Sequence, residues 1–167
     1  EGIILYETHP LDRFTIGNAL LEVTQIGKKC HGDSCAIYRE VGNCVMPKEG
    51  IFCRVLKPGI VKAGDEMTYQ PKVFRVKVIT LSDRAASGEY EDRSGPRAVQ
   101  ILEEYFAGLG WKAEIGRSVI PDEAALLRQE ISGGAGADII FTTGGTGIGP
   151  RDITVDVVKP LLDKDIP

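Results

Sequence analysis

The strongest constraint on how this chain can fold is an alternation that begins at Val73. "VFRVKVITL" (73–81), "WKAEIGRSVI" (111–120) and "ADIIFTT" (137–143) read as strands. Each is followed by a stretch with helical spacing. In "SGPRAVQILEEYFAGLG" the pattern is carried by Val99, Ile101, Leu102, Tyr105, Phe106 and Leu109. Ser94 can cap that helix, Pro96 suits its first turn and Gly110 its end. "PDEAALLRQEI" opens on Pro121 and two acids, which favour a helix N-terminus, and "ITVDVVKPLLDKD" begins a third helix bent at Pro160. Strand–helix repeated three times predicts an α/β domain with a mainly parallel sheet and right-handed crossovers.

The first part of the chain is written differently. "ALLEVTQI" (19–26) reads as a strand. "GIFCRVLKPGIVKAGDEMTY" reads as a strand, a turn at Pro58-Gly59, a short strand, a turn at Ala63-Gly64-Asp65 and a further strand. No long amphipathic helix is visible, so a small β-barrel or part of one is expected. "TYQPKVF", with Pro71, reads as a short linker, which divides the chain into a β-rich part (1–70) and the α/β part (74–167). The opening EGIILYETHP and the closing LLDKDIP both read as interior segments, so the sequence is expected to be a piece of a longer chain.

Charge narrows the choice of ligand. The net charge of −4 gives no electrostatic footprint for nucleic acid, and no apolar run approaches the length of a membrane span. Residues 1–72 are balanced, with nine Lys/Arg and nine Asp/Glu; residues 73–167 carry eleven and fifteen. An anion bound to the second part must therefore be held by local amides or a metal, not by a general positive field. All four cysteines lie in the first third. They could form two disulfides in a secreted protein, but the remainder reads as an intracellular enzyme, so free thiols and a cytoplasmic location are expected.

In open parallel sheets ligands bind at the carboxyl ends of the strands. Three polar segments fall there: Ser82-Asp83-Arg84 through Gly95, Pro121-Asp122-Glu123, and "TTGGTGIGPRD" (142–152). Glycines let backbone amides approach a phosphate, the following helix N-terminus adds partial positive charge, and Thr142, Thr143 and Thr146 could add hydroxyl donors. A Walker-type site is excluded because G-x-x-x-x-G-K-[ST] is absent. The glycines alone are also compatible with a plain strand–helix turn. Asp122 and Asp152 each follow a strand next to this loop. They could hold Mg²⁺ among phosphates, or simply serve as first-turn helix acids. The loop bearing Asp83 and Asp92 is long for its position, which favours a function, though a solvated loop would look the same.

"LSDRAASGEYEDRSGP", "IPDE" and "TTGGTGIGPRDITVDVV", in this order and after these strands, resemble the MogA/MoaB family of molybdenum-cofactor biosynthesis proteins. The resemblance implies a three-layer α/β fold, assembly as a homotrimer when complete, and molybdopterin adenylyltransferase activity: Mg-ATP is used to place AMP on the terminal phosphate of molybdopterin, releasing pyrophosphate. It carries over Asp122 and Asp152 as the essential aspartates and Mg²⁺ ligands. Thr143, Gly144, Gly145, Thr146 and Gly147 become the phosphate-cradling loop, and Ser82, Asp83, Asp92 and Gly95 line the same site. "TLSDRAASG" stands where molybdate insertases usually carry a "TGDE"-like segment, which points to the adenylyltransferase side. An insertase-type enzyme and a non-catalytic molybdopterin-binding scaffold remain the alternatives. The family's later segments lie beyond residue 167, so this stretch alone is expected to be inactive. A molybdate insertase and other proteins of the same pathway are the implied partners.

"IGNALLEVTQIGKKCH", "GNCVMPKEGIFCRVL" and "GIVKAGDEM" are similar to the C-terminal half of a MOSC domain, the β-rich module of molybdenum-cofactor sulfurases. The resemblance implies sulfur or cofactor handling, with Cys30 as the carrier and Cys44 as the second candidate. Lys28, Lys29 and His31 flank Cys30, and positive neighbours favour thiolate chemistry. Zinc held by Cys30, His31, Cys35 and Cys44 is an alternative of unusual spacing, and ordinary free thiols are another. Cys53, alternating with apolar neighbours, is expected to pack in a strand.

Overall fold

The computed structural model describes residues 2–133 and 136–166, and the chain divides into two compact units, Glu1–Lys72 and Val73–Pro167. Among the described residues no helix is long and apolar enough to cross a membrane.

The first unit is an antiparallel sheet with two short helices. In chain order its elements are β1 (Arg13–Ile16), β2 (Ala19–Ile26), α1 (Ala36–Val41), α2 (Met46–Glu49), β3 (Ile51–Lys57) and β4 (Met67–Gln70). The strand order is β3-β2-β1-β4. β1 is absent from the sequence reading, although Gly17-Asn18, a two-residue hairpin signal, joins it to β2. Phe14 sits opposite Leu21 on one side and Tyr69 on the other, and its ring lies 5.4 Å from that of Tyr69. Phe14, Ala19 and Val23 are buried.

Two buried carboxylates hold this sheet. Asp12 accepts from the His9 N–H at 2.8 Å, the Tyr69 hydroxyl at 2.7 Å and the Lys72 N–H at 2.7 Å. Burial, aided by the Asp12 carboxylate, pushes the Tyr69 phenol up to about 12. Glu22 is clamped by Arg13 at 2.9 Å and Arg54 at 2.6 Å. Burial pushes its carboxyl up, but the two guanidinium groups outweigh that and leave it below the ordinary carboxylate range.

The described strands form an open sheet, so of the expected barrel or part of one only the partial form is compatible with them. Two other expectations for this unit are corrected. The short strand expected between the two turns does not form, and its apolar residues Ile60 and Val61 are 72% and 52% exposed. Cys53 is exposed rather than packed, because β3 is an edge strand whose outer residues are uncovered.

The second unit follows the alternation: β5 (Val73–Leu81), α3 (Asp83–Ala86), α4 (Ser94–Gly108), β6 (Lys112–Ile120), α5 (Ala124–Gly133), β7 (Ile139–Thr143) and α6 (Thr154–Val158), then a 3₁₀ turn at Lys159–Leu161. The sheet is parallel, in the order β6-β5-β7. Central β5 pairs with β6 along its whole length, from Val73 opposite Lys112 to Leu81 opposite Ile120. It is buried on both faces, as a central parallel strand must be. On one face Phe74 and Val76 pack with Phe106 of α4, and the Phe74 ring lies 5.2 Å from Phe106 and 5.1 Å from Trp111. On the other, Ile79 and Leu81 pack with Ile120, Leu127 of α5 and Val157 of α6. Helix, sheet and helix make three layers. Pro160 stops α6 as an α-helix after Val158 and places the chain in the 3₁₀ turn.

Replacing fully buried Leu127 by Ala should lower stability by about 2–5 kcal/mol, measured by denaturant unfolding. Because the Glu22 carboxyl is lower in the folded than in the unfolded chain, its contribution is complete above the unfolded value and fades as pH falls through the folded one. Unfolding curves taken from neutral to acid pH should therefore fall more steeply for the native chain than for Glu22→Gln.

Candidate functional site

Parallel register brings the ends of β5, β6 and β7 to one edge of the sheet: Leu81 pairs with Ile120, and Thr80 with Thr143. The three segments that follow are tied to one another by a small polar network. Asp83 and Asp122 exchange bonds across two loops: the Asp83 N–H donates to Asp122 Oδ2 at 3.1 Å, and the Asp122 N–H donates to Asp83 Oδ1 at 3.0 Å. Arg151, from the end of the glycine loop, grips both oxygens of Asp83, with its Nη2 2.6 Å from each and its Nε 3.0 Å from Oδ2. The Arg151 guanidinium, and next the Asp122 N–H, hold the Asp83 carboxyl below its usual range. Asp83 thus links all three segments.

The glycine loop is built to lie flat against the strand ends. Gly144 has φ +91°, and a Cβ there would fall on the Leu81 carbonyl oxygen. Gly145 has φ +58°, and a Cβ there would stand 2.7 Å from Thr154 Oγ1 and 3.2 Å from Asp122 Oδ1. Both conformations suit glycine, and both approaches exclude a side chain. Thr154, buried at the start of α6, fastens the loop from below: its hydroxyl donates to the Gly144 carbonyl at 2.9 Å, and its N–H donates to the Gly145 carbonyl at 2.9 Å. Asp152 lies under the rest of the turn. Its Oδ2 accepts from the Gly149 N–H at 2.8 Å and would stand 2.6 Å from a Cβ on Gly147. Asp122 and Asp152 therefore flank one turn, at Gly145 and Gly147. Asp122 Oδ1 is buried and has no hydrogen-bond partner.

A cavity of about 190 Å³ opens beside this turn, lined by Ser82, Arg84, Tyr90, Asp92, Thr143 and Gly144 among others. Asp92 is committed to the protein itself. Its Oδ1 accepts from the Gly95 N–H at 3.0 Å and the Ser94 hydroxyl at 3.1 Å, and its Oδ2 accepts from Thr80 at 3.1 Å. Burial pushes the Asp92 carboxyl up, and these bonds together with nearby Arg117 bring it below the ordinary range. Asp92 thus does the capping expected of Ser94, which lies inside α4. Gly95 is buried here, with no room for a Cβ between Asp92 and the Thr80 hydroxyl.

The three threonines do not converge. Thr143 lines the 190 Å³ cavity, whereas Thr142 and Thr146 line a separate one of about 360 Å³ with Thr154, Lys159 and Asp165. Adjacent strand residues face opposite sides of a sheet, which separates Thr142 from Thr143. Sequence reading missed two residues, Thr154 and the bridging role of Arg151. The signal for Thr154 was a hydroxyl residue opening a helix directly after a glycine loop.

In the first unit all four cysteines are free. Cys30, His31, Cys35 and Cys44 line a cavity of about 50 Å³. Among the described residues no group of three or more His, Cys, Asp or Glu side chains is placed to hold a metal ion, so the zinc alternative has no ligand cluster behind it.

Residues 77–167 match a family model described as the probable molybdopterin binding domain. The chain is similar to the molybdopterin adenylyltransferase of Pyrococcus furiosus, with 41% identity over 98 residues covering 58% of this chain and 54% of that protein. It is also similar to the molybdopterin adenylyltransferase of Escherichia coli (strain K12), with 35% identity covering 56% and 48%. The crystal structure of the tungsten cofactor synthesizing protein MoaB from Pyrococcus furiosus superposes with a TM-score of 0.50 and 39% identity, covering 57% of each chain. The chain spans about half the length of the curated relatives it matches.

Thr154→Val keeps the shape of the side chain but leaves the Gly144 carbonyl without its hydroxyl donor. It should lower stability by about 1–3 kcal/mol in denaturant unfolding. Gly144→Ala should lower it by at least as much, through strain and overlap with Leu81.

Proposed function

The chain belongs to the probable molybdopterin binding domain family, and on that premise we propose that residues 74–167 are the phosphate-gathering part of a molybdopterin adenylyltransferase. The observation that carries this reading is Asp122 Oδ1, a buried carboxylate oxygen with no partner, next to Gly145. An unpaired buried acceptor is costly, by about 1–3 kcal/mol, and a cation would supply what it lacks. Asp152, against the same turn, provides a second carboxylate. These are oxygen donors of the kind Mg²⁺ prefers, and Asp122 and Asp152 are the residues that would hold it. A Mg²⁺ held by these carboxylates would supply positive charge to offset that of the bound phosphates.

The remaining chemistry falls to the chain's own groups. Backbone amides from Gly144 to Gly147 receive phosphate oxygens, and Ser82 and Thr143 add hydroxyls at the adjoining cavity. Asp83 and Arg151 keep the three loops in register. A terminal phosphate oxygen of molybdopterin attacks the α-phosphorus of ATP. The new P–O bond forms as the bond from the α-phosphorus to its bridging oxygen breaks, and pyrophosphate leaves with that electron pair. No covalent enzyme intermediate is needed, so catalysis is positioning and electrostatics. Asp92 forms part of the cavity wall and is held there by the Gly95 N–H at the start of α4. The same reading includes a cytoplasmic address, a homotrimer in the whole protein and hand-over to a molybdate insertase.

For residues 1–70 we infer the C-terminal half of a MOSC module that handles sulfur, with Cys30 and Cys44 as carriers. Support comes from the cavity these two thiols share. Joined to the second unit, such a module would act on the same pathway at raised local concentration.

The whole protein, given Mg-ATP and molybdopterin, should release pyrophosphate. Asp122→Asn and Asp152→Asn should each lower kcat roughly 10²–10³-fold while leaving the thermal midpoint within a few degrees. A protein that consumes adenylylated molybdopterin but makes no pyrophosphate would be an insertase. Unchanged function in cells with Asp122→Ala would mark a scaffold.

A further inference from the structure

The cavity beside the glycine turn carries a cation that the fold itself does not use. Arg151 is bound to Asp83, and Arg117 reaches Asp92 at 3.4 Å. Arg84 lines the same cavity and is exposed. Among the described residues its guanidinium has neither a carboxylate nor a hydrogen-bond acceptor. Its contact is with an aromatic face: the guanidinium carbon lies 5.6 Å from the centroid of the Tyr90 ring. Residues 73–167 carry fifteen acids and eleven Lys/Arg, so an uncommitted guanidinium here stands out against its surroundings.

The local chain explains the pairing. Gly88, at φ +77°, donates its N–H to the Ala85 carbonyl at 3.2 Å, and the Ser87 hydroxyl donates to the Arg84 carbonyl at 3.1 Å. This turn brings Tyr90 back to Arg84. Beyond Tyr90 the chain is fixed again where the Asp92 carboxylate accepts from Thr80 and from the Gly95 N–H. The attraction to Tyr90 draws on the electron cloud of the ring, not on an acceptor atom. It orients Arg84 and leaves the five N–H donors of its guanidinium without an acceptor.

Size and donors decide what the cavity can take. At about 190 Å³ it exceeds the roughly 30 Å³ share of one water molecule, and it falls short of the roughly 300 Å³ at which pockets for drug-sized ligands begin. A whole nucleotide or pterin does not fit, but part of one does. Asp92 is the one carboxylate on the described wall. Its oxygens accept from Thr80, Ser94, Gly95 and Arg117, which fills the roughly four lone-pair sites of a carboxylate. No free carboxylate is left for the N–H groups of a pterin ring. The donors that remain are Arg84 and the hydroxyls of Ser82 and Thr143. Such a wall suits phosphate oxygens. Gly144 belongs to it as well, so a row of phosphates received at the glycine loop can continue into the cavity.

We propose that this cavity seats the outer two phosphates of the nucleotide, and that Arg84, oriented by Tyr90, binds them until they leave as pyrophosphate. The proposal rests on the adenylyl-transfer reading of this unit. When the bond from the α-phosphorus to its bridging oxygen breaks, the electron pair stays with that oxygen. Negative charge therefore grows on the departing diphosphate, and a guanidinium already in place stabilises it. Arg84 is then a catalytic residue and Tyr90 a positioning residue.

The test uses the whole protein with Mg-ATP and molybdopterin, and inorganic pyrophosphate as product inhibitor. Arg84→Gln should lower kcat and raise both the inhibition constant of pyrophosphate and the KM for ATP about tenfold, while the KM for molybdopterin changes by less than about twofold. Arg84→Lys, a point charge without the planar fork, should recover only part of the loss. Tyr90→Leu should weaken pyrophosphate inhibition roughly threefold, and Tyr90→Phe, which keeps the ring, should restore it. The native protein gives a reading that needs no variant: pyrophosphate should shield Arg84 from an arginine-selective dicarbonyl reagent, read by peptide mapping. An unchanged inhibition constant in Arg84→Gln, an equal rise in both KM values, or an unshielded Arg84 overturns the role of Arg84 and leaves adenylyl transfer standing as long as pyrophosphate is formed. A native protein that forms no pyrophosphate overturns both.

Discussion

The second unit turns on the approach of Gly144 to the end of β5. With no side chain and with φ +91°, Gly144 lets the backbone after β7 lie against the Leu81 carbonyl. That closeness places Gly145 beside Asp122, lets Thr154 bond back to the loop and wraps the next glycines around Asp152. A larger residue would lift the loop off the sheet edge and separate the carboxylates from the amides. The remaining parts serve this arrangement. β5, buried on both faces, provides a rigid edge, and the Asp83–Asp122 exchange joins two loops at the same level.

The charges of this edge are not equally settled. Asp83 is answered by Arg151, and Asp92 by a ring of protein donors. Asp122 has one oxygen satisfied and the other buried and alone. Sites prepared for ligands differ from structural networks in this respect: a structural network closes on itself, whereas a binding site leaves an acceptor waiting. On the proposed account the open valence at Asp122 is what makes the glycine loop more than a strand–helix turn.

The sequence was most readable in the second unit. β5, central and covered on both faces, matches its expected span, and the edge strand β6 comes within a residue of its own because its half-buried residues Ala113, Ile115 and Val119 alternate with polar ones. Short strands and exposed edges were harder. β1 has four residues, and β3 presents apolar residues such as Val55 to solvent, so alternation there did not imply the packing expected of Cys53. At the site, residue type pointed to the right edge but not to each duty. Asp92 reads like a ligand-facing acid and instead caps α4, and Thr142 reads like a partner of Thr143 yet faces the other cavity. Thr154 escaped notice because its contribution depends on a fold-back bond to Gly144 across the loop.

The central claim is that Asp122 and Asp152 fix a divalent cation where the glycine loop receives phosphate. The most direct measurement is anomalous scattering from Mn²⁺ in crystals of the whole protein grown with a non-hydrolysable ATP analogue. The account predicts a metal peak bonded to Asp122 and Asp152, with phosphate oxygens on the amides of Gly144 to Gly147. Phosphates seated instead beside Thr146 and Lys159, with no metal at Asp122, would contradict it.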